Sequence, residues 1–350
     1  MQFRIGVSVA FGLLIAASHT PARAQINSGY FSDGAPLETV EPFYDPGGLT
    51  GGCFRDPGPC WLGQATFDVL LFDRSDADSR SVVTEVGTGS EVLNATDLGF
   101  PVTAGFRFNL VLTGDDGCDL VFNYLGSKFD NSRVHSATTA LYDYFEFPSV
   151  TPSTGTDFQT SYMSTLRSVE LGSRMRQWSR FAPIAGIRFI QLEDQFDRLT
   201  GDGATNLQLS MTDNELWGFQ IGGEALLWDA GPVRFQSTVK GGVFYNNLNL
   251  TTGGGDITVT DPLTMISTTI ETTAKFPSDH VSYFGEVNLE LAYQIGRHVT
   301  VRVGYTAMWL DGVALAPDQH DNFNLQSGIG AFDYGTVLYH GTYVGGEVTW

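Results

Sequence analysis

Val337-Leu338-Tyr339-His340-Gly341-Thr342-Tyr343-Val344-Gly345-Gly346-Glu347-Val348-Thr349-Trp350 is the most informative run in the chain. Thr342, Val344, Gly346, Val348 and Trp350 fall on one face, and Tyr343, Gly345, Glu347 and Thr349 on the other. That is a period of two, hence a strand with one apolar and one polar side. Chain ends normally fray, whereas this one runs through a strand to an aromatic residue. Such a strand needs a partner, and a sheet closed on itself supplies its own first strand. The expectation is an all-β closed barrel, with Val344, Val348 and Trp350 outside and Glu347 inside.

Working outward, the same alternation recurs along the chain. Strands are expected over residues 61–74, 99–112, 119–129, 157–175, 181–195, 216–227, 233–245, 281–293, 299–309 and the terminal run, ten in all. The clearest is 99–112, with Phe100, Val102, Ala104, Phe106, Phe108, Leu110 and Leu112 on one face. The phase of 157–175 is not fixed by its residues. Connections alternate in length. Residues 75–98, 130–156, 196–215, 246–280 and 310–336 are long; 113–117, 177–180, 229–232 and 296–297 are short. Long loops at one end and short turns at the other, on an even number of antiparallel strands, are the pattern of transmembrane barrels. A long loop that hides a hairpin would raise the count to twelve. Residues 257–259 and 265–270 are β-prone and fit a hairpin that extends the barrel wall outward. Tyr283 and Tyr293 lie ten residues apart on one face, which at a tilt near 40° separates them by roughly 25 Å of height. They fit two aromatic girdles around an apolar band.

The N-terminus reads as an export leader. Arg4 is followed by an apolar stretch, 5–17, and by Ala22-Arg23-Ala24, a small-x-small cleavage site. The stretch is shorter than the ~20 residues that cross a bilayer as a helix. Cleavage is expected after Ala24, leaving an irregular periplasmic segment over 25–60 and the barrel domain over 61–350. A plug formed by 25–60 is the alternative. Cys53 and Cys60 flank a turn-forming run and are candidates for a local disulfide. Cys118 is left over, and reads as a buried small residue. The net charge of −20, with only 19 Lys plus Arg, argues against nucleic-acid partners. The 41 glycines and 13% aromatics fit a barrel of short strands.

Several short runs resemble a known family: Trp61-Leu62-Gly63-Gln64-Ala65, Ala185-Gly186-Ile187-Arg188-Phe189, Trp217-Gly218-Phe219-Gln220-Ile221-Gly222-Gly223, and His340-Gly341-Thr342 running on to Trp350. They are similar to the putative beta-barrel porin family 7, over residues 61–350. The resemblance implies an outer-membrane barrel; it brings no catalytic residues. The terminal Trp350 also resembles the C-terminal signature that barrel-assembly machinery reads. The expected setting is the bacterial outer membrane, with lipid around the barrel.

Candidate site residues are the inward charges. Arg107, Arg188, Arg234, Lys240 and Arg302 oppose Glu224, Glu286, Glu290 and Glu347. They read either as a salt-bridged filling or as pore walls that select small solutes. Barrels of about eight strands are filled by side chains, and open channels need about 16–18. Ten to twelve strands therefore predict a filled or narrow lumen. An adhesin acting through its external loops is the second reading. A lipid hydrolase built on Ser282, His280 and Glu286 is a remote third, because those residues take the inward phase. The runs 253–256 and 200–203 lack a complete calcium ligand set, no zinc spacing is present, and no cofactor is implied.

Overall fold

The computed structural model describes residues 63–350 except 80, 86–89, 115–116, 137–140, 144–156, 177–179, 201–205, 254–255, 261–266, 272–273, 320–322 and 325–328. The leader, the 25–60 segment and the Cys53–Cys60 pair lie outside the described residues. Ten strands form the barrel: β1 (Gly63–Arg74), β2 (Thr103–Thr113), β3 (Cys118–Ser136), β4 (Asp157–Met175), β5 (Phe181–Thr200), β6 (Asn206–Ala230), β7 (Val233–Thr252), β8 (Ala274–Gln294), β9 (Val299–Val313) and β10 (Gly335–Thr349). Each pairs antiparallel with its sequence neighbours, and β10 closes on β1, so the topology is up-and-down without a crossover.

The seam is in register from Gln64↔Thr349 to Arg74↔Tyr339. Its lower end is tied by reciprocal backbone hydrogen bonds between Gly63 and Trp350, each 3.1 Å. The Trp350 ring lies where a side chain at Gly63 would go, 2.7 Å from the ideal Cβ position. Glycines on the inner wall do similar service. The Tyr343 ring rests on Gly304, the Asp68 carboxylate on Gly345, and the Phe244 ring on Gly218 and Gly242.

The outside of the barrel is the lipid face. Phe67, Val69, Leu71, Ile187, Phe219, Ile221, Val243, Val287, Val303, Val344 and Val348 are all exposed on it. In water such a continuous apolar belt would be a liability; in lipid it is required. Trp217, Tyr245 and Tyr283 mark the belt's upper edge, and Trp228, Tyr293 and Trp350 its lower edge. Both ends of the described chain, Gly63 and Trp350, lie at the short-turn edge. Phe100 departs from the expected pattern. It precedes β2 rather than forming part of it, and turns inward to be 7% exposed. Cys118, expected buried, is half-buried at the start of β3.

The wall is uneven in height. β1, β2, β9 and β10 have 12, 11, 15 and 15 residues. β3 to β8 have 19, 19, 20, 25, 20 and 21. About 9–11 residues cross a bilayer, so six adjacent strands rise well above the upper girdle as a curved half-wall. The expected long loop over 196–215 is strand over its described residues, 196–200 and 206–215. The loop over 246–280 is likewise shorter, and it carries a hairpin pairing Asp256–Thr260 with Ser267–Glu271.

Above the girdle the outer face turns polar. Glu193 and Asp213 sit directly opposite each other on β5 and β6, with Glu215 beside them. The Gln191 amide donates to both, at 2.9 and 3.3 Å. Burial raises the Asp213 carboxyl above its ordinary value. The Gln191 hydrogen bond opposes this, and Glu193 and Glu215 add repulsion. A carboxylate with a raised folded-state pKa burdens the fold once it ionises, so the cost is absent in acid and present at neutral pH. Asp213→Asn is expected to raise the thermal midpoint at pH 7 and to leave it unchanged at pH 3, read by heat-modifiable gel migration. On the lipid face, Val303→Arg is expected to cost ~2–4 kcal/mol. Asn249→Arg, above the girdle, is expected to cost under ~1 kcal/mol. Denaturant titration in liposomes, followed by tryptophan fluorescence, measures both.

Candidate functional site: the charged lumen and its cap

Inside the barrel, the half nearer the short turns is filled with charge. Asp68 on β1 is wholly buried and receives Arg107 from β2 (2.8 Å) and Arg302 from β9 (3.1 Å). Arg302 also reaches Glu290 at 2.6 Å and Glu347 at 3.8 Å. Arg234 caps Glu347 at 3.1 Å, and Gln236 and Tyr343 donate to Glu290. The Arg107 guanidinium lies 4.3 Å from the Tyr343 ring centroid. A second group joins Glu170 to Lys240 (2.7 Å) and Arg188 (3.8 Å), with Arg188 also on Glu286 (2.6 Å). A third holds Asp119 between Arg174 (2.8 Å) and Arg176 (2.9 Å), with Glu224 on Arg174 at 3.4 Å.

Each of the nine charges named from the sequence has an oppositely charged partner in these groups. The sequence reading omitted Asp68, Asp119, Glu170, Arg174 and Arg176. Glu170 and Arg174 belong to the strand region whose phase is not fixed by its residues, and Arg176 directly follows it. Asp68 sits between Phe67 and Val69, in the inward phase of a strand with clear alternation, so that signal was present. With these included, seven cations meet seven carboxylates. Isolated buried charges are costly and paired ones are tolerated, which is the physical reason for matching. Orphan polar atoms of Thr66, Asn109, Gln220 and Asn288 line the same half. Buried polar groups of this kind are ordinarily satisfied by ordered water.

The other half of the lumen holds a large apolar cluster. Leu70, Phe72, Ile190, Leu192, Leu216, Phe244 and Leu310, all on inward positions, are 0–1% exposed and belong to one cluster. One polar knot is set among them. Arg74 binds Asp194 at 2.8 Å and the Tyr162 hydroxyl at 2.9 Å, Tyr162 and Ser164 donate to Asp194, and the guanidinium lies over the Phe100, Tyr162 and Tyr339 rings.

Two loop segments fold into this half from the low side of the wall. In residues 93–100, Leu93, Ala95, Leu98 and Phe100 are buried, and Asn131 donates to the Gly99 carbonyl at 2.6 Å. Residues 312–319 are buried throughout. Gly312, with φ of 75°, makes the bulge that turns this segment inward. Gln319 fixes its far end against the Asp333 backbone at 2.6 and 3.1 Å. Ser282 donates to the Gly312 carbonyl at 2.7 Å. His280 stacks on Tyr334, with ring centroids 3.9 Å apart, and Glu286 is engaged by Arg188. These three residues are thus committed to separate partners and form no nucleophile–base–acid chain of the kind a hydrolase uses.

Removing the centre of the charge network should be costly. Asp68→Ala strands Arg107 and is expected to lose ~3–5 kcal/mol of stability, because an uncompensated buried charge remains. Asp68→Ala with Arg107→Met is expected to recover most of that loss. Denaturant titration of both variants and of Arg107→Met alone closes the cycle.

Among solved structures, the chain is similar to the outer membrane protease OmpT from Escherichia coli at 8% identity, covering 82% of this chain and 96% of that one, with a TM-score of 0.43. It is similar to the toluene transporter TodX of Pseudomonas putida at 8% identity, covering 84% and 90%, with a TM-score of 0.29. It is also similar to a Pseudomonas aeruginosa FadL homologue at 11% identity, covering 82% and 89%, with a TM-score of 0.27. No curated protein sequence matches the chain. The family described as Putative beta barrel porin-7 (BBP7) matches residues 74–332, and the chain belongs to that family.

Proposed function

We propose that this porin-family barrel of the bacterial outer membrane is a narrow channel that rests closed, and that its charge-lined half acts on small polar solutes. The observation that carries this reading is the division of one lumen into two parts. The lower part is charged, electrically balanced and lined by atoms that want water. The upper part is sealed by apolar side chains that are almost wholly buried. A hydrophobic constriction blocks ions by excluding water, without needing to be solid. Balanced walls favour neither sign of ion strongly, so the expected solutes are small and polar rather than strongly anionic or cationic. The leader over 1–24, the periplasmic segment over 25–60 and a role for Trp350 in barrel assembly belong to the same proposal.

A second reading, a non-conducting surface scaffold, is favoured by the tall half-wall of β3 to β8 and the hairpin it carries. Planar-bilayer recording separates the two. The unaltered protein is expected to show no steady conductance, and Leu192→Ser with Phe244→Ser, which hydrates the constriction, is expected to show small steps. Large stable ohmic steps from the unaltered protein would mean an open pore. Silence from both proteins would favour the scaffold.

A further inference from the structure

The segment over 312–319 is held in a way that simple loop packing does not require. Its alternate carbonyls, those of Gly312, Ala314 and Ala316, each accept a side-chain hydrogen bond from the half-wall. Ser282 on β8 and Asn246 on β7 donate to Gly312, at 2.7 and 3.4 Å. Asn214 on β6 donates to Ala314 at 2.9 Å, and Ser210 on β6 donates to Ala316 at 2.6 Å. Asn214 does more: its side-chain oxygen also accepts the Ala314 N–H, at 2.9 Å. One side-chain amide thereby reads both backbone polar groups of one residue, Ala314. Carbonyls two residues apart that turn to the same side are the spacing of extended chain; this stretch ends at Ala316, where a 3-10 turn over Pro317–Gln319 begins. None of these bonds depends on the side chain carried by the bound segment. Val313, Ala314, Leu315 and Ala316 are meanwhile 0–2% exposed, so the surroundings accept small and medium apolar groups.

The wall also has capacity that this segment leaves unused. Thr212 lies between Ser210 and Asn214 on the same face of β6; it is wholly buried and its hydroxyl has no partner. The side-chain oxygen of Asn246, also wholly buried, accepts nothing. Donor and acceptor therefore stand spare beside a peptide that is already bound. Buried polar groups left in that condition are costly, and a longer or better-placed backbone would satisfy them.

We infer that the inner face of β6 to β8 above the membrane is a binding site for extended peptide of small apolar residues, and that residues 312–316 occupy it as the chain's own ligand. This goes beyond channel closure: the site faces the outside, and its chemistry recognises polypeptide backbone. The segment is tethered at both ends, so an incoming peptide competes with a partner present at high effective concentration.

The test uses a full-length barrel in which residues 313–319 are replaced by a Gly/Ser linker of equal length, with folding checked by heat-modifiable migration. The probe is a fluorescent peptide of sequence Gly-Val-Ala-Leu-Ala-Pro-Asp-Gln, the segment's own. Saturable anisotropy is expected, with affinity falling at least tenfold when Asn214→Ala is added. The same fall is expected when the peptide is N-methylated at the position of Ala314. Absence of binding to the folded barrel, or equal binding of the N-methylated peptide, overturns the assignment. Should the replaced barrel not fold, hydrogen exchange on the unaltered chain decides. The Ala314 amide should be protected, and should exchange at least tenfold faster in Asn214→Ala. An unprotected Ala314 amide in the unaltered chain overturns the inference. Neither readout depends on conductance, so it stands or falls apart from the channel proposal.

Discussion

The inside of a ten-strand barrel has to be filled, and the rest of this structure follows from how that is done. Such a barrel is too narrow for the open bore of a porin with 16–18 strands, and wider than one filled by simple side-chain layers. Here the lower half is filled by long basic side chains reaching across the lumen to carboxylates on distant strands. Arg188 on β5 meets Glu286 on β8, and Arg234 on β7 meets Glu347 on β10. Each such bridge fixes the distance between walls that are not neighbours in the sheet. Glycines on the inner wall take up the bulk of the rings and stems that this demands. The charge balance is then a condition for the fold, since any excess charge would be left buried and unpaired.

The fold was largely legible because a lipid-facing strand announces itself. Alternation placed all ten strands and assigned the phase of β10, and the alternation of loop lengths placed the two ends of the barrel. The misplaced upper strand ends have one physical origin. Above the membrane the apolar face and the polar face change places. On β5, Phe189 points out toward lipid. A few residues on, Gln191, Glu193 and Gln195 point out toward water, while Leu192 and Phe196 point in. β7 inverts in the same way after Tyr245, where Asn247 and Asn249 turn out and Leu248 and Leu250 turn in. A strand followed in one fixed phase reads as ending at the membrane surface. It actually continues with its polarity reversed, and loops were assigned where the half-wall stands.

The candidate site was legible in part, for a related reason. Inward charges are easy to see when their outward neighbours are apolar, as for Arg107, Arg302 and Glu347. Arg74 and Asp194 form the polar knot of the upper lumen, and Asp194 lies at the end of the expected strand over 181–195, where polarity has already inverted, so the inward phase of the apolar stretch does not single it out. The side chains that hold the 312–319 segment were hidden more deeply. Ser210, Asn214, Asn246 and Ser282 are ordinary polar residues, and nothing in their spacing signals that they converge. Only the register of β6, β7 and β8 brings them to one surface.

The uneven wall links these features. A barrel whose strands all stopped at the girdle would leave its loops over the mouth with little to pack against. Here four strands stop and six continue, so the loops from the low side meet a vertical surface and can be buried against it. That geometry explains why the loops after β1 and β9 turn inward, since both leave strands on the low side. It also explains why the inner face of the high side carries amides and hydroxyls at heights where a lipid-spanning strand would have no use for them. They satisfy the backbone of segments that lack sheet partners, which would otherwise be left with buried, unpaired groups. A surface built to satisfy irregular backbone is, by the same chemistry, one able to bind it.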